Sequence, residues 1–189
     1  MSTMHLTLLR HGATAPNLQG LRCGGDVDAP LTDQGRRQAS EAALRILELR
    51  LPVGVIFTSR MQRTRETAQI VSRLLHGVPI VIEPAFAERR LGQWNLRPIA
   101  ENEAALAQGV TPPGGESNLE FVARVSAALE ALLPRLAERP LLVGSKGIGR
   151  VLRELAESGP QRRQALGNGQ LAHFDLTAFA ARHATLCAP

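Results

Sequence analysis

The chain has 189 residues, 44% of them hydrophobic and 21% charged, proportions that suit one globular unit and exclude a disordered, fibrous or disulfide-stapled chain. The formal net charge is +5, and of the 22 basic side chains all but Lys146 are arginine. Such a charge first suggests nucleic acid, but the arginine runs never exceed pairs (Arg36-Arg37, Arg89-Arg90, Arg162-Arg163), acids are interspersed, and one Trp with no Tyr leaves little on which to stack bases. Nucleic acid is therefore not expected as a partner. Cys23 and Cys187 make no CxxC, so neither a metal site nor a disulfide framework is indicated. The chain shows neither a basic N-terminal region followed by a long apolar stretch nor an apolar run of about 18 residues, so a cytoplasmic protein without membrane contact is expected. Oligomeric state stays open.

Met4 to Leu9 reads as a short strand ending abruptly at Arg10-His11-Gly12. After a Gly- and Asp-rich stretch, Thr32 offers a cap for a helix from Asp33 to Leu49, stopped by Pro52. Val53 to Thr58 predicts a second strand, and Arg60 to Leu75 a second helix closed by His76-Gly77. Pro79 to Ile82 predicts a third strand. Residues 84–117, with weak periodicity, a short helix at Ile99 to Ala107 and the turn-rich PPGGES, read as a small inserted cap within a single domain spanning 1–189. A long amphipathic helix is predicted over Asn118 to Leu136, a fourth strand over Pro140 to Val143, another helix over Ile148 to Glu157, and a last strand over Gln170 to Leu176. Strands alternating with helices imply an α/β three-layer sandwich with a mainly parallel central sheet.

In such sheets a ligand sits beyond the carboxyl ends of the strands. Three of the loops there carry chemistry: Arg10 and His11 after the first strand, Ser59, Arg60 and Arg63 after the second, Ser145 and Lys146 after the fourth. So many cations from separate loops point to an anion of phosphate size.

These residues resemble the histidine phosphatase superfamily, also called phosphoglycerate mutase-like. LLRHGATAPN is similar to its LxRHGxTxxN signature, and DAPLTDQGRRQA, FTSRMQRTRETA, AERRLGQW and PPGGESNLEFVARV are similar to further segments in the same order. One motif would be weak; five in order over nearly the whole chain are specific. The resemblance implies that His11 attacks phosphorus to form a phosphohistidine, that Arg10 and Arg63 clamp the phosphoryl oxygens, and that Glu88 protonates the leaving alkoxide. Asn17 and Ser59 become additional phosphate or loop-ordering contacts. No metal or other cofactor is required in this scheme. The chain also looks more like the small phosphatases of the family than its phosphoglycerate mutases, which carry a longer insertion.

One segment departs from the pattern. The family carries a second histidine after its fourth main strand, and here PLLVGSKGIGR puts Lys146 in that place. A lysine keeps positive charge near the phosphoryl group. Placed about 4 Å from Glu88, however, it would attract the carboxylate by roughly 4 kcal/mol at an effective dielectric near 20, holding the acid ionised. A third arrangement swings Lys146 into solvent. The expected function is hydrolysis of a small phosphorylated molecule through phospho-His11, with Arg10, Arg63 and Lys146 binding phosphate. The alternative is a family member that binds such a ligand with impaired or no turnover. Arg22, Trp94, Arg97 and Glu116 lie in segments expected at the pocket mouth, where substrate is selected.

Overall fold

A computed structural model describes residues 4–156 and 166–186. Five strands form one sheet: β1 (His5–Arg10), β2 (Val55–Thr58), β3 (Ile80–Ile82), β4 (Pro140–Gly144) and β5 (Leu171–Asp175), in the order β3-β2-β4-β1-β5. All neighbours are parallel except β1 and β5, which run antiparallel. The helices are α1 (Ala15–Leu18), α2 (Asp33–Glu48), α3 (Gln62–Leu74), α4 (Ile99–Ala107), α5 (Asn118–Leu132), α6 (Lys146–Leu155) and α7 (Thr177–Leu186).

Side-chain alternation along the strands builds two cores. Leu6 and Leu8 of β1, with Val55, Phe57 and Leu142, face α5, α6 and Phe179 of α7. Leu9, Ile56, Leu141 and Val143 face the other way, onto Ala42, Ala43 and Ile46 of α2 and Ala68 and Val71 of α3. The α/β three-layer arrangement is thus the one expected, and the central strands read as unbroken apolar runs because both of their faces are covered.

Several boundaries differ from expectation for local reasons. The helix expected to start at Ile148 begins at Lys146, because Ser145 stays extended (φ −122°, ψ 177°) as its N-cap; its expected end, Glu157, lies outside the described residues, as do Arg162-Arg163 and Cys187. The helix expected to reach Leu136 is α-helical only to Leu132 and continues as a 3-10 turn, Leu133–Glu138, since Pro134 has no N–H to give to the ladder. The 84–117 stretch holds two 3-10 turns, Pro84–Phe86 and Gly92–Trp94, before α4. The last strand lies where expected, but its antiparallel direction and the helices α1 and α7 were not legible in the periodicity. No helix among the described residues is long and apolar enough to cross a membrane.

Candidate active site

The carboxyl ends of β1, β2 and β4 lie side by side, and the His11 N–H donates to the Gly144 carbonyl (2.9 Å), prolonging the β1-β4 ladder by one step. The backbone there is tightly nested. A Cβ on Gly12 would lie 2.1 Å from the Gly35 carbonyl oxygen, and one on Gly35 would lie 2.2 Å from that of Ala13. The glycines of the RHG and PLTDQG segments therefore exist for each other: their contact seats the start of α2 directly against the catalytic loop.

His11 is buried, and its Nδ1 lies 2.7 Å from the Gly12 carbonyl oxygen. A carbonyl only accepts, so Nδ1 carries the hydrogen and Nε2 is left with its lone pair. Burial above all, then the charges of Arg63 and Arg10, push the imidazole pKa down to about 3 against the pull of the Gly12 carbonyl. The ring is neutral at physiological pH, the form a nucleophile needs.

Around it lies a cavity of about 570 Å³ whose wall includes Arg10, Asn17, Arg22, Glu88 and Lys146. Arg10 gives one N–H to the Leu166 carbonyl (2.6 Å), while its buried Nε has no partner among the described residues. Glu88 accepts from two backbone amides, Arg89 N (2.7 Å) and Gly147 N (2.8 Å), the latter in the first turn of α6. Gly147 fits there because it is bare: a Cβ would stand 2.0 Å from Glu88 Oε1. Lys146 is exposed on the cavity wall and forms no ion pair with Glu88. The carboxylate is held by the two backbone amides instead.

The other expected site residues have partners of their own. Arg63 is 1% exposed, and instead of lining the cavity it donates to the carbonyls of Val27 (2.9 Å) and Gly24 (3.1 Å), holding the Gly- and Asp-rich loop while its charge acts on His11 from behind. Ser59 is fully buried, bonded to Thr64 Oγ1 (2.9 Å) and accepting from Met61 N (3.3 Å), a turn contact away from the cavity. Asn17 accepts from Thr14 N and from Asn168 Nδ2 (both 3.2 Å), so it orders the loop. Arg22 lies on the wall but donates to Asn102 Oδ1 and the Ile99 carbonyl, fastening its loop to α4. Glu116 is not at the mouth. It is buried against Arg124 (2.8 Å) and accepts from Arg90 N (3.2 Å), and Trp94 and Arg97 also lie off the cavity wall.

Three contributors were missed by the sequence reading. Asn168 donates to the His11 carbonyl (2.9 Å), and the turn around it also exchanges backbone bonds with Arg10, through Gln170 O and Gly169 N (both 3.0 Å). Asp26 accepts from Leu91 N, Gly92 N and Asn95 Nδ2, pinning the loop that carries Glu88. Arg153 lines the cavity two turns into α6. The Gly-Asn-Gly triplet before the last strand was the one available hint.

A mainly parallel sheet ending in a neutral, oriented histidine among arginines and a carboxylate is an arrangement chemically suited to phosphoryl transfer. The chain belongs to the histidine phosphatase superfamily (branch 1), whose family model matches residues 6–184. It is 32% identical over 147 residues to the fructose-2,6-bisphosphatase TIGAR B of Danio rerio, covering 73% of this chain and 56% of that protein. The chain thus spans little more than half the length of that relative. It is 36% identical over 157 residues to the probable phosphoglycerate mutase GpmB of Escherichia coli, covering 77% and 70%. A mycobacterial glucosyl-3-phosphoglycerate phosphatase solved with VO3 superimposes with a TM-score of 0.75 at 26% identity, over 90% of each chain.

Proposed function

We propose that the protein is a phosphomonoester hydrolase for a small phosphorylated molecule, acting through phospho-His11. The observation that carries this reading is the Nδ1–Gly12 bond, which with the depressed pKa leaves the lone pair on Nε2 of a histidine that lines the cavity. In the first half-reaction Nε2 attacks phosphorus, the P–O bond to the leaving group breaks, and protonated Glu88 gives its proton to the departing alkoxide. In the second, water attacks phosphohistidine, the P–N bond breaks, and Glu88 takes the water proton as inorganic phosphate forms. Arg10 and Lys146 contact the equatorial oxygens, Lys146 standing where the resemblance to the family pattern implies a second histidine, and Arg63 adds its charge. Segment 84–117 serves as the cap: it carries Glu88 and, through α4, one wall of the cavity.

The two relatives with phosphatase names favour hydrolysis over the mutase reaction. Turnover of p-nitrophenyl phosphate by the wild type and by His11→Ala tests the reading. Loss of at least about 10³-fold in kcat/KM is expected, and equal turnover by both proteins would remove it. The second reading, a ligand-binding protein without turnover, is favoured by the lysine at 146. Calorimetric binding of vanadate with no phosphate release from any phosphomonoester would establish it instead.

A further inference from the structure

Helix α6 turns one face to the cavity, and that face carries Lys146, Arg150 and Arg153 at spacings of four and three residues. Their commitments differ. Arg150 is spent within the protein: it pairs with Glu154 (2.8 Å), donates to Asn118 Oδ1 (2.7 Å) and lies over the Phe121 ring. Arg153 is half-buried and has no hydrogen bond or ion pair among the described residues. The carboxylates on the same wall are engaged elsewhere, Glu154 with Arg150, Glu88 with two amides, and Glu103 in the field of Arg22.

The Arg153 guanidinium lies beside the backbone of Gly149. Its Nη1 lies 3.8 Å from where a Gly149 Cβ would be, beside Leu166 Cδ2 at 3.9 Å. Leu166 is the residue whose carbonyl accepts from Arg10. The side chain therefore folds back toward the helix N-terminus, as helical side chains do, to a level about 4.5 Å along the axis from Lys146. Burial lowers its pKa, the field of Glu154 only partly offsetting this and the charge of Arg150 adding to it; a half-buried guanidinium with no hydrogen-bonded anion among the described residues is costly unless something anionic comes to it.

We infer that Arg153 is a specificity-determining residue that holds a second oxyanion, a phosphate or carboxylate, carried by the substrate a short linker away from the phosphoryl group transferred at His11. This rests on the phosphatase reading for its chemistry, but the binding of a doubly anionic ligand can be measured without it.

The test compares propanediol bisphosphate with propanediol monophosphate on the wild type, Arg153→Gln and Arg153→Lys. The wild type should favour the bisphosphate in kcat/KM by about tenfold or more, the worth of a charge-assisted contact. Arg153→Gln should lose most of that preference through the KM for the bisphosphate, and Arg153→Lys should keep part of it as a point charge without the fork. A melting temperature close to wild type confirms that Arg153→Gln is folded. Hydrolysis of both compounds with the same preference in wild type and Arg153→Gln would overturn the inference and leave the phosphatase reading intact. If neither compound nor p-nitrophenyl phosphate is hydrolysed, the phosphatase reading fails by itself. Calorimetry with propane bisphosphonate then decides the inference: binding about tenfold weaker in Arg153→Gln supports it, and equal binding overturns it.

Discussion

His11 is buried beside two arginines, a combination that makes acid a problem for stability before it is one for catalysis. The folded ring titrates at about 3, whereas an unfolded histidine does so near 6.5. Between those values the unfolded state binds a proton that the folded state refuses, so stability falls as pH drops from about 6.5 toward about 3. The loss is on the order of a few kcal/mol. His11→Asn should lack this contribution: between about pH 7 and pH 4.5 its melting temperature should decline less steeply than the wild type's. Activity, in contrast, should not be limited by protonation of the nucleophile until well below pH 5. Lys146 gives a second prediction at this scale. Lys146→Ala should lower kcat/KM by about 10- to 100-fold, the cost of a charge-assisted contact. Lys146→His should recover more of the rate at about pH 6 than at about pH 8, because an imidazole there is charged only on the acid side of its ordinary pKa. A wild-type rate that survives Lys146→Ala would show that the lysine is spectator to the reaction.

At the scale of elements, the first turn of α6 is where the site is assembled, since the Gly147 amide orients Glu88. Gly147→Ala should leave the helix as stable as before or slightly more so, alanine being the better helix former. Its methyl group would displace the carboxylate and cut kcat by about 10²-fold, as losing a general acid does. Circular dichroism melting alongside the rate measurement separates the two effects. Helix α5 provides the converse case. Glu116, expected at the pocket mouth, is 3% exposed and locked to Arg124, so Glu116→Ala should cost about 2 kcal/mol in urea unfolding. It should alter activity toward different phosphomonoesters uniformly. These two helices show what could be read from the chain and what could not. Strand positions, the α2 cap at Thr32 and the segments bearing His11, Arg10 and Glu88 follow from local pattern and motif. The start of α6, the antiparallel β5 and the sequestration of Ser59, Arg63 and Glu116 depend on which loop packs against which, over separations that no local window spans. Arg63 and Arg153 are both arginines near a phosphate site, and only the packing shows that the first faces carbonyls and the second the cavity.

For the whole molecule, six of the 22 basic side chains, Arg10, Arg22, Arg89, Lys146, Arg150 and Arg153, line the cavity beyond the strand ends. Vanadate is expected to bind the folded cavity and not the unfolded chain, and so should raise the unfolding free energy by about 2.7 kcal/mol at a hundredfold excess over its Kd. His11→Ala should show a smaller shift in a thermal melt. The sheet order also governs how the chain comes into being. β1 lies between β4 and β5, and the His11 carbonyl is held by a residue 157 positions later. On the ribosome the first of these strands to be made has no partner until nearly all the others exist. At ordinary elongation rates its Leu6, Leu8 and Leu9 wait on the order of ten seconds with their apolar faces uncovered. A chain released before Leu166 lacks the carbonyl that holds Arg10 and the amide that holds the His11 carbonyl, and it should show no His11-dependent turnover however much of it has folded.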